Sequence, residues 1–169
     1  MNKEFRLMKD IINIYHPEFS KSTDLQQYGL DNPQHFKVEH LIEECMAAVG
    51  PYTFINGSHQ DFSDGTDCKT ASISCNPTKL YGNSYRGEIG NVETSGGGQK
   101  IGDLRCIIYN PHKDELKFYY LPRSFWANNI TIHPSSKIGK IVFTYHRPSN
   151  YISKLDAYRC TDFVQLATK

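Results

Sequence analysis

Apolar residues recur at helical spacing in the first sixteen positions. Phe5, Met8, Ile11, Ile12 and Tyr15 fall on one side and Pro17 ends the run, which predicts an amphipathic helix. A polar stretch then leads to Asn32-Pro33, an N-cap residue followed by a first-turn proline, and a second helix is expected from there. His35 stands at its third position, so no capping box is completed. Val38, Leu41, Ile42, Cys45, Met46 and Val49 share one face of this helix, Glu39, Glu43 and Glu44 lie off its centre, and Gly50-Pro51 stops it.

Beyond Pro51 the pattern changes. Residues 52–55 are short and β-prone, and Asn56-Gly57 reads as a turn. Residues 84–92, 101–109, 115–121 and 140–145 read as strands, separated by turn chemistry such as Ser95-Gly-Gly-Gly98 and Asn110-Pro111. A short helix is expected around residues 163–167. Helices first and strands afterwards, with no regular alternation and no internal repeat, predict an α/β domain with one mixed sheet flanked by helices.

Composition refines this picture. The hydrophobic share of 38% and aromatic share of 12% are ordinary for a folded chain, and 169 residues suffice for one sizeable core, so a single domain over residues 1–169 is expected. The opening residues carry charge on both sides of a short apolar patch, which suits neither a secretory signal nor a membrane span, and a cytoplasmic location is expected. The five cysteines are widely spaced with no zinc-knuckle pair, and they read as reduced, mostly buried thiols. The seven histidines likewise show no metal-site spacing.

A net charge of +1 neither marks a nucleic-acid binder nor excludes one. Its distribution is more informative. Acidic residues are common up to Asp67, whereas from Arg86 to Arg147 basic residues stand beside aromatic and polar ones. Arg86, Arg105, Arg123 and Lys140 lie on or next to predicted strands, and Lys100 closes a glycine-rich loop that can approach a phosphate backbone. Arg86, Lys100, Arg105 and Arg123 are therefore candidate DNA contacts, although a solvated surface explains each of them equally well. Trp126 after Phe125 is a candidate base-stacking residue or, more simply, core, and His59 lies near the acidic segment described next.

The segment Gln60-Asp-Phe-Ser-Asp-Gly-Thr-Asp-Cys-Lys-Thr70 gathers Asp61, Asp64 and Asp67 ahead of Lys69 and a β-prone run. Asp67 and Lys69 are two apart, so on a strand they project from the same face. If Asp64-Gly65-Thr66 forms a three-residue hairpin loop, Ser63 faces Asp67 and Asp61 faces Lys69. A two-residue loop would turn Asp61 away and leave Asp64 as the second carboxylate. Two converging carboxylates can hold Mg²⁺ with positions left for water and a phosphate oxygen, and an adjacent lysine can stabilise developing negative charge. Those are the parts that phosphodiester hydrolysis requires.

Over roughly residues 39–74 this arrangement resembles the PD-(D/E)xK nuclease superfamily, whose pattern is an Asp, a variable gap, and Asp or Glu, any residue, and Lys on a strand. Here it runs Asp61, a short gap, Asp67-Cys68-Lys69, with Gln60 in place of the proline. The local text is similar to the active-site hairpin of type II restriction endonucleases and of the mismatch-repair nicking endonuclease. The resemblance implies a restriction-endonuclease-like fold and an Mg²⁺-dependent, sequence-specific endonuclease acting on double-stranded DNA as a homodimer. Asp61 and Asp67 would be metal ligands and Lys69 catalytic. Members often add a helical glutamate upstream, a role for which Glu44 ranks slightly ahead of Glu43. A repair-type nicking enzyme and a non-catalytic DNA-binding module are the competing expectations.

Overall fold

In the computed structural model, residues 37–55, 60–76, 84–93, 102–110, 115–136, 138–144 and 152–169 are described. The expected first helix, His59 and Lys100 lie outside them. The elements are α1 (Lys37–Val49), β1 (Asp67–Asn76), β2 (Ser84–Glu93), β3 (Leu104–Asn110), β4 (Glu115–Leu121), α2 (Arg123–Trp126), β5 (Thr131–Ile132), β6 (Ile138–Thr144), α3 (Ser153–Asp156), β7 (Arg159–Cys160) and α4 (Phe163–Thr168).

Among the described residues the strands make one seven-stranded sheet in the order β5-β6-β2-β1-β3-β4-β7. β1 and β3 run parallel, with Asp67 opposite Leu104 and Lys69 opposite Cys106, and the remaining neighbours are antiparallel. The mixed α/β class follows directly from this order. β3 is buried along its whole length, because both faces of the sheet are covered where it runs. On one face Cys68 and Ile107 join Ile42, Cys45 and Met46 of α1 and Phe163, Leu166 and Ala167 of α4. On the other, Ala71, Leu104, Cys106, Ile108 and Tyr119 pack with Trp126 and Leu155. The alternation of β1 and β3 residues between the two clusters is the period-two rule of a strand.

Local chemistry sets several boundaries. α1 buries Ile42, Cys45 and Met46 as the apolar spacing requires. α4 starts where Asp162 caps it, accepting from Gln165 N at 2.8 Å, while Gln165 Oε1 reaches back to Thr161 N at 2.6 Å. β3 begins at Leu104 rather than Ile101, because the preceding Asp103 turns its carboxylate to Tyr120 Oη and Arg123 N. β6 begins at Ile138 rather than Lys140, since Ile138 and Gly139 pair with β2 and Gly139 also pairs with the two-residue β5. Trp126 is core, with its indole N–H donating to Gly102 O at 2.9 Å, which leaves no free ring for stacking on a base. No helix among the described residues is long and apolar enough to cross a membrane.

Candidate active site

Asp67 opens β1, and its N–H donates to Asp103 O at 3.2 Å. Lys69, two residues on, shares its face as expected. Asp61 reaches this point differently from the expected hairpin. The loop is Ser63-Asp64-Gly65, closing Phe62 on Thr66 through Gly65 N to Phe62 O at 3.0 Å and Phe62 N to Thr66 O at 3.2 Å. Gly65 takes the left-handed position at φ +86°, which is the third place of a three-residue loop of this kind. The expected loop puts this glycine in the middle, one residue out of register. Residues 61–63 instead pair with residues 53–55, through Ile55 N to Asp61 O at 2.8 Å and Ser63 N to Thr53 O at 2.9 Å.

Asp61 arrives at β1 by its side chain. Its Oδ2 accepts from Cys68 N at 2.7 Å. Among the described residues β2 pairs with β1 only from Ile73 onward, so the Asp61 carboxylate serves the Cys68 N–H where no paired β2 residue does. The Asp61 carboxyl thereby comes within hydrogen-bonding reach of the Asp67 carboxyl. Lys69 Nζ lies 2.6 Å from Asp67 Oδ2. At that distance the ammonium and the carboxylate form a charge-assisted pair. Asp61, Asp67 and Lys69 therefore converge.

The electrostatics are uneven. Burial pushes the Asp67 carboxyl upward, the Lys69 ammonium partly offsets this, and the neighbouring Asp61 carboxyl adds to the rise, leaving its pKa at about 7. Burial works against the Lys69 charge, but Asp67 and then Asp61 more than offset it, so its pKa lies above the ordinary lysine value. Lys69 is thus a fixed cation at neutral pH. Its side chain is 20% exposed against 5% for Asp67, which places the ammonium at the mouth of the site and the carboxylate at its floor. The flanking thiols Cys68 and Cys106 are raised chiefly by burial and stay protonated.

The other candidates lie apart. Asp64 accepts from Thr66 N at 3.0 Å and Thr66 Oγ1 at 2.6 Å and pairs with Arg105 Nη2 at 3.0 Å. Burial alone would raise its pKa, but the Thr66 bonds and the Arg105 charge bring it below the ordinary value. It is an internal clasp of the turn, so Asp61 and not Asp64 is the carboxylate beside Asp67. Arg105 is buried, a correction to its place among the DNA contacts, because its guanidinium is consumed inside the protein. Arg86 is exposed, with Glu88 at 3.2 Å. Arg123 is half-buried, its guanidinium 5.6 Å from the Trp126 ring centre. Of the two helical glutamates, Glu43 is buried and its charge is felt at Cys68, whereas Glu44 is only half-buried.

Thr66 and Arg105 as partners of Asp64 do not follow from the spacing of the acidic segment. A lone arginine within Leu104-Arg-Cys-Ile-Ile-Tyr109 is the available signal, since an arginine that is buried with such a strand must find a partner inside the protein. Among the described residues no group of three or more His, Cys, Asp or Glu side chains gathers as a metal site. What Asp61 and Asp67 offer is two neighbouring carboxyls, and Mg²⁺ is commonly held by one or two carboxylates plus water and substrate phosphate. Comparison with known protein families, curated proteins and solved structures finds no match for this chain.

Proposed function

We propose that this protein is a divalent-metal-dependent endonuclease that hydrolyses phosphodiester bonds in double-stranded DNA, with Asp61, Asp67 and Lys69 as its reacting groups. The observation that carries the reading is the convergence of two carboxyls and a lysine in a nearly closed corner, where Lys69 does not fully neutralise its neighbours. Two adjacent carboxyls, one of them with a pKa near neutrality, form a site whose anionic state is relieved by a cation.

Asp61 and Asp67 would hold Mg²⁺. The bound ion supplies Lewis-acid polarisation of the phosphate and a more acidic water. Asp61 is itself positioned by its bond to Cys68 N, so the two carboxylates meet the ion with little rearrangement. Lys69 keeps its proton, and its role is to stabilise negative charge developing on the scissile phosphate rather than to act as the base. The finer reading is a sequence-specific restriction enzyme working as a homodimer, because one such site cuts one strand and a symmetric pair cuts both. Exposed Arg86 suits a phosphate contact in that arrangement.

Supercoiled plasmid incubated with the protein and Mg²⁺ separates the outcomes. Conversion directly to linear DNA supports the paired, double-strand cutter, whereas accumulation of open circles supports a nicking enzyme. Unchanged plasmid together with uncut long, sequence-diverse duplex DNA, in both Mg²⁺ and Mn²⁺, would overturn the nuclease reading. A non-catalytic DNA-binding module is the second reading, favoured by the burial of Asp67 and its 2.6 Å pairing with Lys69. Binding of duplex DNA that survives chelation without cleavage would establish it.

A further inference from the structure

The geometry points to Arg105 as a positioning residue that holds Asp61 and Asp67 together from behind the sheet. This rests on the nuclease reading for its purpose but on separate observations for its mechanism. Arg105 lies opposite Cys68 in the β1–β3 pairing. Its guanidinium donates to Thr66 Oγ1 through Nη1 and to Asp64 Oδ2 through Nη2 at 3.0 Å, and its Nε donates to Leu166 O at 3.3 Å. It also lies over the Tyr52 ring at 4.1 Å from the centroid.

One buried cation therefore joins the 62–66 turn, α4 and the segment after α1. Thr66 immediately precedes Asp67, and the turn begins one residue after Asp61. Both carboxylates consequently hang from a segment gripped on its far side by Arg105. Two carboxyls in contact repel when both are ionised, and a restraint on the segment that carries them acts alongside the Lys69 ammonium to keep them together. The planar fork supplies two diverging donors to that turn at once, which a lysine ammonium cannot reproduce in the same geometry.

Arg105→Lys tests this by two routes. In hydrogen exchange, the Cys68 amide, which is bonded to Asp61 Oδ2, is expected to exchange at least about tenfold faster, while the amides of Ile89 and Ile141 in β2 and β6 keep their rates. In calorimetry with Mn²⁺ as the probe, the variant is expected to bind at least about tenfold more weakly than the intact protein. A merely structural role would speed exchange at Cys68, Ile89 and Ile141 alike, and that result would overturn the proposal. So would an unchanged Cys68 amide.

Asp64→Asn weakens the same clasp more gently and decides the matter if Arg105→Lys does not fold. A Cys68-specific acceleration in it supports the proposal, and unchanged exchange there refutes it. If the intact protein binds no Mn²⁺ and cuts no DNA, the nuclease reading fails, while the exchange pattern still judges the role of Arg105.

Discussion

Replacing Asp67 with Asn is expected to stabilise the protein at alkaline pH while removing the proposed cleavage. The Asp67 carboxyl has a pKa of about 7 in the folded protein against 3.8 for a free aspartate. Because the folded value is raised, the unfolded chain releases this proton first, and the stability of the native state falls as pH rises from about 4 through about 7. Three pH units at 1.36 kcal/mol each give about 4 kcal/mol as the upper figure, and about 2 kcal/mol is a fair expectation once the site relaxes. The facing groups are Asp61, Lys69 and the thiols of Cys68 and Cys106, and of these only Lys69 works in favour of the ionised form. Asn preserves the volume and removes the charge. Urea unfolding in EDTA should therefore show the variant more stable at pH 8.5, with a melting temperature in thermal unfolding higher by roughly 4–8 °C for a chain of this size, and the gap closing near pH 4. A variant less stable than the intact protein at both pH values would mean that attraction to Lys69 outweighs the burial cost of the Asp67 charge, and would refute the reasoning from burial.

Gly102→Ala places a Cβ 2.8 Å from Gly65 O, and since both sides are backbone the turn must move. A loss of about 1–3 kcal/mol in thermal or urea unfolding is expected, with a fall in cleavage rate at saturating Mg²⁺. Arg86→Ala removes an exposed side chain whose pairing with Glu88 contributes little, so stability should change by less than about 0.5 kcal/mol. Filter binding of duplex DNA at several salt concentrations should show weaker affinity and a salt slope smaller by about one. With Mg²⁺ held by Asp61 and Asp67 as proposed, chelation with EDTA should abolish cleavage and lower the melting temperature measured in Mg²⁺ at pH 8.

Much of the fold is legible in the sequence because its signals are local and periodic. α1 is read from the spacing of Ile42, Cys45 and Met46, and β4 matches its expected bounds because Asn110-Pro111 and Pro122 punctuate it. β5, β7, α2 and α3 are not legible, since elements of two to four residues carry no period and exist only through the strands and core they meet. The pairing of Asp67 with Lys69 follows from strand alternation. The convergence of Asp61 depends on its side chain bonding Cys68 N, a tertiary contact rather than the cross-strand register that the spacing suggests. The fates of Asp64 and Arg105 are hidden for the same reason: whether a charge is presented or clasped depends on partners 41 residues away in sequence.

Whether Asp61, Asp67 and Lys69 form one metal-dependent cleavage site is decided by incubating a long, sequence-diverse duplex DNA with the intact protein, with Lys69→Ala, and with the intact protein in EDTA. Discrete fragments from the intact protein in Mg²⁺, a rate lower by about a hundredfold or more for Lys69→Ala, and no cleavage in EDTA are predicted. Fragments produced equally by Lys69→Ala, or cleavage that persists in EDTA, would show that the chemistry resides elsewhere in the protein.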